Sequence, residues 1–164
     1  MPPAIRPATA ADSAVIADIY AHYVLTSTAT LELEPPGTME IAKRMADVAS
    51  RGLPYLVAEV DGQIAGYGYA GAFRPRPGYR FTVEDSVYLR PEFGGRGLGR
   101  LLLGELIRAS KEAGCHQMIG VIGGENLASI AMHRAMGFVD VGVLREVGFK
   151  FGNWVDVTLM QREL

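Results

Sequence analysis

The chain has one cysteine, Cys115, and only three histidines among 164 residues. A single thiol cannot close an intramolecular disulfide, so packing alone must hold the fold. Cys115 falls between a helix end and an apolar strand, no histidine triad pattern accompanies it, and it reads as a small packing residue rather than a nucleophile. His22, His116 and His133 are scattered, and neither His-Glu-x-x-His nor Cys-x-x-Cys spacing occurs, so no metal site is expected. Charge of either sign is not in excess: the net value is −2, which gives no basis for a nucleic-acid partner. Apolar runs long enough to span a bilayer are missing. The start, Met1-Pro2-Pro3-Ala4-Ile5-Arg6, lacks a signal-peptide apolar region, and residence in the cytoplasm is expected. What is present, 49% hydrophobic and 21% charged residues, suits one globular domain over residues 1–164. No internal repeat, low-complexity tract or linker interrupts it.

Periodicity and turn chemistry order the chain. Ala4-Ile5-Arg6 reads as a first strand, and Thr9 to Asp12 resembles a capping box. The helix that follows carries Val15, Ile19 and Tyr23 at helical spacing, with Ile16 and Tyr20 beside them. Thr26 to Leu33 has no helical period and ends at Pro35-Pro36-Gly37; it is a loop or extended piece, either solvated or lining a pocket with its hydroxyls. Thr38 is the expected cap of a second helix with Ile41, Met45 and Val48 inward, ending at Gly52. Asp61-Gly62 between Tyr55–Val60 and Gln63–Ala70 is a hairpin signal. Arg74-Pro75-Arg76-Pro77-Gly78 is a stiff basic loop, and Phe81–Leu89 a further strand. A helix from about Leu98 to Ala113 places Leu98, Leu102, Leu106 and Ala109 on one face, and Gly114 closes it. Gln117–Ile122 reads as a central strand, Asn126 as the cap of a helix to Met136, and Val139–Leu144 and Trp154–Leu159 as the last strands.

Between the strand ending at Leu89 and the helix starting at Leu98 lie four glycines: Gly94, Gly95, Gly97 and Gly99. Glycine permits positive φ and lets an anion approach the backbone, and a helix N-terminus offers unpaired N–H groups and the positive end of the dipole. The stretch is therefore a phosphate site with Arg96 and Arg100 adding charge, or a flexible loop with a basic cap. It lacks the Gly-Lys-Ser/Thr of a Walker loop, and it stands too late in the chain for a dinucleotide fingerprint.

Gly94-Gly95-Arg96-Gly97-Leu98-Gly99 resembles the pyrophosphate loop of the GNAT N-acetyltransferase superfamily, Gln/Arg-x-x-Gly-x-Gly/Ala, with Gly94 departing at the first position. The tail Asn126-Leu127-Ala128-Ser129-Ile130-Ala131-Met132-His133-Arg134-Ala135-Met136-Gly137-Phe138 fits as well. Thr82-Val83-Glu84-Asp85-Ser86-Val87-Tyr88-Leu89 and Val147 to Val157 are similar to phosphinothricin N-acetyltransferases and their methionine sulfone or sulfoximine acetylating relatives. The resemblance implies an α/β (α+β) fold with a mixed, mostly antiparallel central sheet flanked by helices, acetyl-CoA as co-substrate, an amino acid or analogue as acceptor, and a homodimer.

Acetyl transfer from a thioester to an amine needs a base, a polarised carbonyl and a protonated leaving thiolate. Glu84 is the expected base. Asp85 faces the other way by strand period unless a bulge re-aims it. His133 stands where many relatives place a tyrosine acid; it is either the thiolate's proton donor, a partner that positions Glu84, or a packing residue. The resemblance implies that Val87, Tyr88 and Leu89 bond the pantetheine arm along a strand edge, that Asn126 and Ser129 contact it, and that Gly94 to Arg100 hold the pyrophosphate. Arg74, Pro75 and Arg76, with Asp85, Ser86, Thr28 and Thr30, are expected at the amino-acid site, the arginines as a carboxylate clamp. Phe149, Phe151 and Trp154 are either a dimer anchor or a local core cluster. Two other readings share the fold: an acyl-CoA-binding module without catalysis, and an acetylase of peptide or protein amines.

Overall fold

Asp61 and Gly62 adopt φ of 49° and 78°, the two positive values of a type I′ turn. They join β2 (Tyr55–Val60) to β3 (Gln63–Ala72) in the computed structural model, which describes residues 1–164. The remaining elements are β1 (Ala4–Pro7), α1 (Ser13–Thr26), α2 (Thr38–Ser50), β4 (Thr82–Leu89), α3 (Leu98–Glu112), β5 (Gln117–Gly123), α4 (Leu127–Ala135), β6 (Val139–Lys150) and β7 (Asn153–Glu163). The strands make one sheet in the order β1-β2-β3-β4-β5-β7-β6. Every neighbouring pair is antiparallel except β4 with β5, the pair bridged by the α3 crossover. The mixed, mostly antiparallel sheet flanked by helices is the expected architecture.

Alternation along the central strands gives each face its own core. One face buries Val83, Met118 and Met160 under Leu98, Leu102, Leu103 and Leu106 of α3. The other packs Val57 and Tyr67 against Ile16, Ile19, Tyr20 and Val24 of α1 and Ile41 and Met45 of α2. Each fully buried leucine contributes about 2 kcal/mol of apolar transfer free energy. The centre of the α1 stripe runs through Ile16 and Tyr20, leaving Val15 and Tyr23 at its edge, and Ala109 of α3 is only half-buried. Gly37, rather than Thr38, is the N-cap of α2.

The hairpin of β6 and β7 outruns its expected length. The strands hold 12 and 11 residues and meet at Phe151-Gly152, whose φ values of 54° and 75° make a second two-residue turn. Phenylalanine rarely adopts such a φ, so the turn carries no Asn-Gly or Asp-Gly signal. Within β6 the register shifts between Leu144 and Gly148, where Glu146 sits at φ 53°. Asp156 of β7 patches that bulge: its carboxylate accepts from the Glu146 N–H at 2.8 Å and from Arg145 at 2.9 Å.

Asp12 ties the start of α1 to the sheet. Its carboxylate accepts from the Thr9 N–H at 2.7 Å, as the capping box predicts, and from both terminal nitrogens of Arg6 at 2.8 and 3.0 Å. Arg6 also donates to Glu59 of β2 at 2.9 Å. The Arg6 bonds outweigh the cost of burial and hold the Asp12 carboxyl at about 2, below its ordinary 3.8. A depressed folded-state value stabilises the fold above pH 4 and is lost as pH falls through 4 to 2. Asp12→Asn is expected to cost about 1–2 kcal/mol at pH 7, discounted because Arg6 is a third exposed. Urea unfolding across pH 2–7 checks this: the variant should lack most of the wild-type decline between pH 4 and 2.

Candidate active site

Strands β4 and β5 pair over three residues only, Thr82 with Gln117, Val83 with Met118 and Glu84 with Ile119. Beyond that point β4 stays with β3 as far as Leu89, while β5 follows β7 as far as Gly123. The sheet opens between them, and one edge of β4 from Asp85 onward has no strand partner. A cleft of about 460 Å³ fills the opening. Its walls are Glu84 to Tyr88 of β4, Val121 to Gly123 of β5, the Thr28–Glu32 loop, and Asn126, Ser129, Met132 and His133 at α4.

Glu84 and Asp85 stand on opposite faces of β4, and both reach the cleft. No bulge re-aims Asp85: the β3–β4 ladder is regular, and the irregularity lies in the β2–β3 ladder at Ala58/Glu59 instead. Burial pushes the Glu84 carboxyl up, the neighbouring Asp85 adds to the shift, and Arg74 opposes it. Asp85 is buried against α4, with Oδ2 2.8 Å from His133 Nε2, while its Oδ1 has no hydrogen-bond partner. His133 Nδ1 lies 2.7 Å from the Ser129 carbonyl. A carbonyl can only accept, so Nδ1 carries a hydrogen, and a second proton must then lie between Nε2 and the Asp85 carboxylate. Burial lowers the imidazole's proton affinity, but the Asp85 hydrogen bond and charge outweigh it and the net shift is upward. His133 is thus held at both nitrogens and packs edge-on against Phe138. Gly120 makes the room, since a Cβ there would lie 2.9 Å from the imidazole Cδ2.

A second cavity of about 440 Å³ continues from the first past Val87, Tyr88, Asn126, Ser129 and Met132 to the glycine loop. Leu89, Gly94, Gly95, Gly97, Leu98, Gly99 and Arg100 line its far end. Gly97 is the N-cap of α3 at φ 76°, and Gly95 has φ 73°, so backbone donors and the helix N-terminus converge there. Gly99 serves packing as well: a Cβ would lie 3.0 Å from Met132 Sδ of α4. Asn126 caps α4 by accepting from the Ser129 N–H at 3.1 Å. The Leu89 carbonyl accepts from the Tyr23 hydroxyl, which braces the end of β4. Arg96 is outside this lining, with its guanidinium over the Phe93 ring. The trench, with an open strand edge in its middle and an anion cradle at one end, fits an extended thioester carrying a pyrophosphate.

The expected substrate residues divide. Thr28, Thr30, Glu84, Asp85 and Ser86 line the cleft; Arg74, Pro75 and Arg76 do not. Arg74 folds back over the Phe73 ring at 4.3 Å, although its charge still reaches Glu84. The Thr30 hydroxyl is bonded to the Tyr20 hydroxyl at 2.7 Å rather than left free, and Tyr20 also donates to Glu32 at 2.8 Å. Glu32 in turn binds Arg44 of α2.

Sequence reasoning missed Lys150. It is buried at the end of β6 and donates to the carbonyls of Ser27 and Thr30, both at 2.7 Å. Burial lowers its proton affinity and Glu32 opposes the shift. Lys150 and the Tyr20–Glu32–Arg44 chain thus fix the loop that roofs the cleft. No local pattern announces this, because the bonded carbonyls are 120 or more residues away and any residue type would supply them.

Comparison with known proteins agrees with this geometry. The model of the acetyltransferase (GNAT) family matches residues 17–138. The chain is 51% identical over 154 residues to a phosphinothricin N-acetyltransferase of Alcaligenes faecalis, covering 93% of this chain and 78% of that protein. It is 41% identical to an L-methionine sulfoximine/L-methionine sulfone acetyltransferase of Salmonella typhimurium, covering 98% and 94%. A crystal structure of a phosphinothricin acetyltransferase from Sinorhizobium meliloti in complex with acetyl-CoA superposes with a TM-score of 0.97 at 47% identity, over 100% of this chain and 89% of that one.

Proposed function

The chain belongs to the GNAT acetyltransferase family, and on that premise we propose that it acetylates the α-amine of a small amino acid or analogue by direct transfer, with Glu84 as general base. It is an acetyl-CoA-dependent N-acetyltransferase of the phosphinothricin/methionine sulfoximine type. The observation that carries the finer reading is the position of Glu84: a half-buried carboxylate of raised proton affinity at the point where the sheet opens. A substrate ammonium drawn to Glu84 gives up one proton to it. The amine then attacks a thioester carbonyl polarised by N–H groups on the open edge of β4. The nitrogen's second proton reaches the departing thiolate by way of the His133–Asp85 pair on the opposite wall, which gives one proton to the sulfur and regains one from the acylated nitrogen. A binding module without catalysis has no use for a base and a held proton on facing walls. A peptide acetylase needs a longer groove than one roofed by the tied Thr28–Glu32 loop.

The pH dependence has a definite sign. Glu84 must be ionised to act, so kcat should fall as pH drops through its raised value. Glu84→Gln should lower kcat by about 10²-fold or more and abolish that acid limb, with acetyl-CoA affinity retained. Thiol release from acetyl-CoA is the assay, run on phosphinothricin, methionine sulfone, methionine sulfoximine and common amino acids. Turnover on none of them, or a variant with normal kcat, would overturn the reading.

We propose further that the Arg74-Pro75-Arg76 loop meets the substrate carboxylate. Arg74 is within electrostatic reach of Glu84, which lines the cleft, and the clamp requires its side chain to turn off the Phe73 ring. Arg74→Ala should raise KM for the amino acid several-fold and leave KM for acetyl-CoA unchanged; equal activity on methionine sulfone and its decarboxylated amine would refute the clamp.

The β6–β7 hairpin supports a homodimer. Phe149, Phe151 and Trp154 are each more than half exposed, as are Val139, Val141 and Val147. An apolar surface of that extent on a hairpin projecting past the sheet is an association surface. Equilibrium sedimentation at micromolar concentration should give the dimer mass, and a stable monomer would exclude it.

A further inference from the structure

Acetylation of an ammonium releases one proton overall, because the nitrogen loses two and the leaving thiolate takes one. With base chemistry at Glu84, that proton must travel from Glu84 to solvent while acceptor and thioester fill the cleft in front of it. The structure has a second space across the ladder from it, lined by its cross-strand neighbour. On the sheet face that carries Glu84, the residue directly across the ladder on β3 is Gly71. A Cβ at Gly71 would meet nothing but the edge of the Tyr69 ring, at 3.6 Å, so the position beside the base is open. Gly71 and Tyr69 line a separate cavity of about 370 Å³ under α2, and Tyr69 is also a wall of the cleft. Its floor is aromatic, with the Tyr55 and Tyr69 rings stacked at 4.8 Å, and its mouth lies among the exposed Glu40, Lys43 and Asp47 of α2.

We propose that this cavity is the proton exit of the enzyme, a water-filled passage from Glu84 past Gly71 and Tyr69 to the charged mouth at α2. The inference rests on Glu84 being the base. The step balances: Glu84 takes a proton from the ammonium to become the neutral acid, then passes it to water in the passage and is again a carboxylate. The groups that face or charge-couple to Glu84 are Asp85 on the same strand, Arg74 on the preceding loop, Tyr69 on β3 and Tyr88 further along β4. Of these, Tyr69 bounds both spaces, and Ser86, opposite it in the ladder, favours its ionised form against the cost of burial.

Gly71→Val tests this, since valine suits a strand and the site has room for its Cβ. With phosphinothricin and acetyl-CoA, the variant should keep both KM values and the wild-type melting temperature. Its kcat should fall about fivefold or more, and its solvent deuterium isotope effect on kcat should rise to about two or above, as expected when proton transfer limits turnover. Tyr69→Phe, which keeps the wall and removes its hydroxyl, should shift the isotope effect the same way. Unchanged kcat and isotope effect in a folded Gly71→Val enzyme would overturn the exit. A raised KM for the amino acid with normal kcat would also overturn it and assign the cavity to the substrate side chain. Glu84→Gln separates the two levels: if it is inactive while Gly71→Val is normal, only the exit fails, whereas a fully active Glu84→Gln removes base and exit together.

Discussion

The parting of β4 from β5 after three paired residues is the constraint on which the rest of the molecule depends. A sheet that stayed closed would satisfy the β4 edge with β5 and leave no place for a ligand. Here each strand finishes its ladder with a different neighbour, β4 with β3 and β5 with β7, so the opening is held by two complete ladders rather than by a missing one. The open edge gives hydrogen-bonding groups to an extended ligand, a recognition mode that uses backbone and asks little of side-chain identity. It also lets consecutive residues on opposite faces, Glu84 and Asp85, reach one cleft, which a closed sheet forbids.

The two carboxylates then acquire different characters from their surroundings. Glu84 lies on the aromatic side among Tyr69 and Tyr88, where burial raises its proton affinity against the opposing charge of Arg74. Asp85 lies on the α4 side and is bonded to His133, whose other nitrogen is held by the Ser129 carbonyl. Adjacent positions on one strand thus provide a proton acceptor and a partner for a held proton, separated by the thickness of the sheet. Such a division of two neighbouring acids by environment is what the proposed acyl transfer calls for, a base and an acid working at a single pH.

The cleft's roof depends on the far end of the chain. Lys150, at the tip of the long β6–β7 hairpin, binds two carbonyls of the Ser27–Thr30 loop, and Glu32 of the same loop is tied to Tyr20 and Arg44. A buried ammonium left without those carbonyls would be costly, so the hairpin and the roof are held to one another. The hairpin that carries the exposed Phe149 and Trp154 is therefore mechanically connected to the cleft.

The sequence by itself determined the element order, the Asp-Gly hairpin, the α3 stripe, the Asn126 cap and the glycine loop, because each depends on local propensity, period or turn chemistry over a dozen residues or fewer. It also placed Glu84 on the cleft strand. Only the tertiary structure decided how far β6 and β7 run, since their turn uses a phenylalanine at positive φ and their bulge is patched by Asp156. Only the tertiary structure paired Asp85 with His133, folded Arg74 away from the cleft, engaged the Thr30 hydroxyl with Tyr20 and brought Lys150 under the roof. The physical reason is the same in each case: these contacts join groups distant in sequence or choose among side-chain directions, and burial, packing and hydrogen-bond satisfaction settle such choices only once the chain has closed around them.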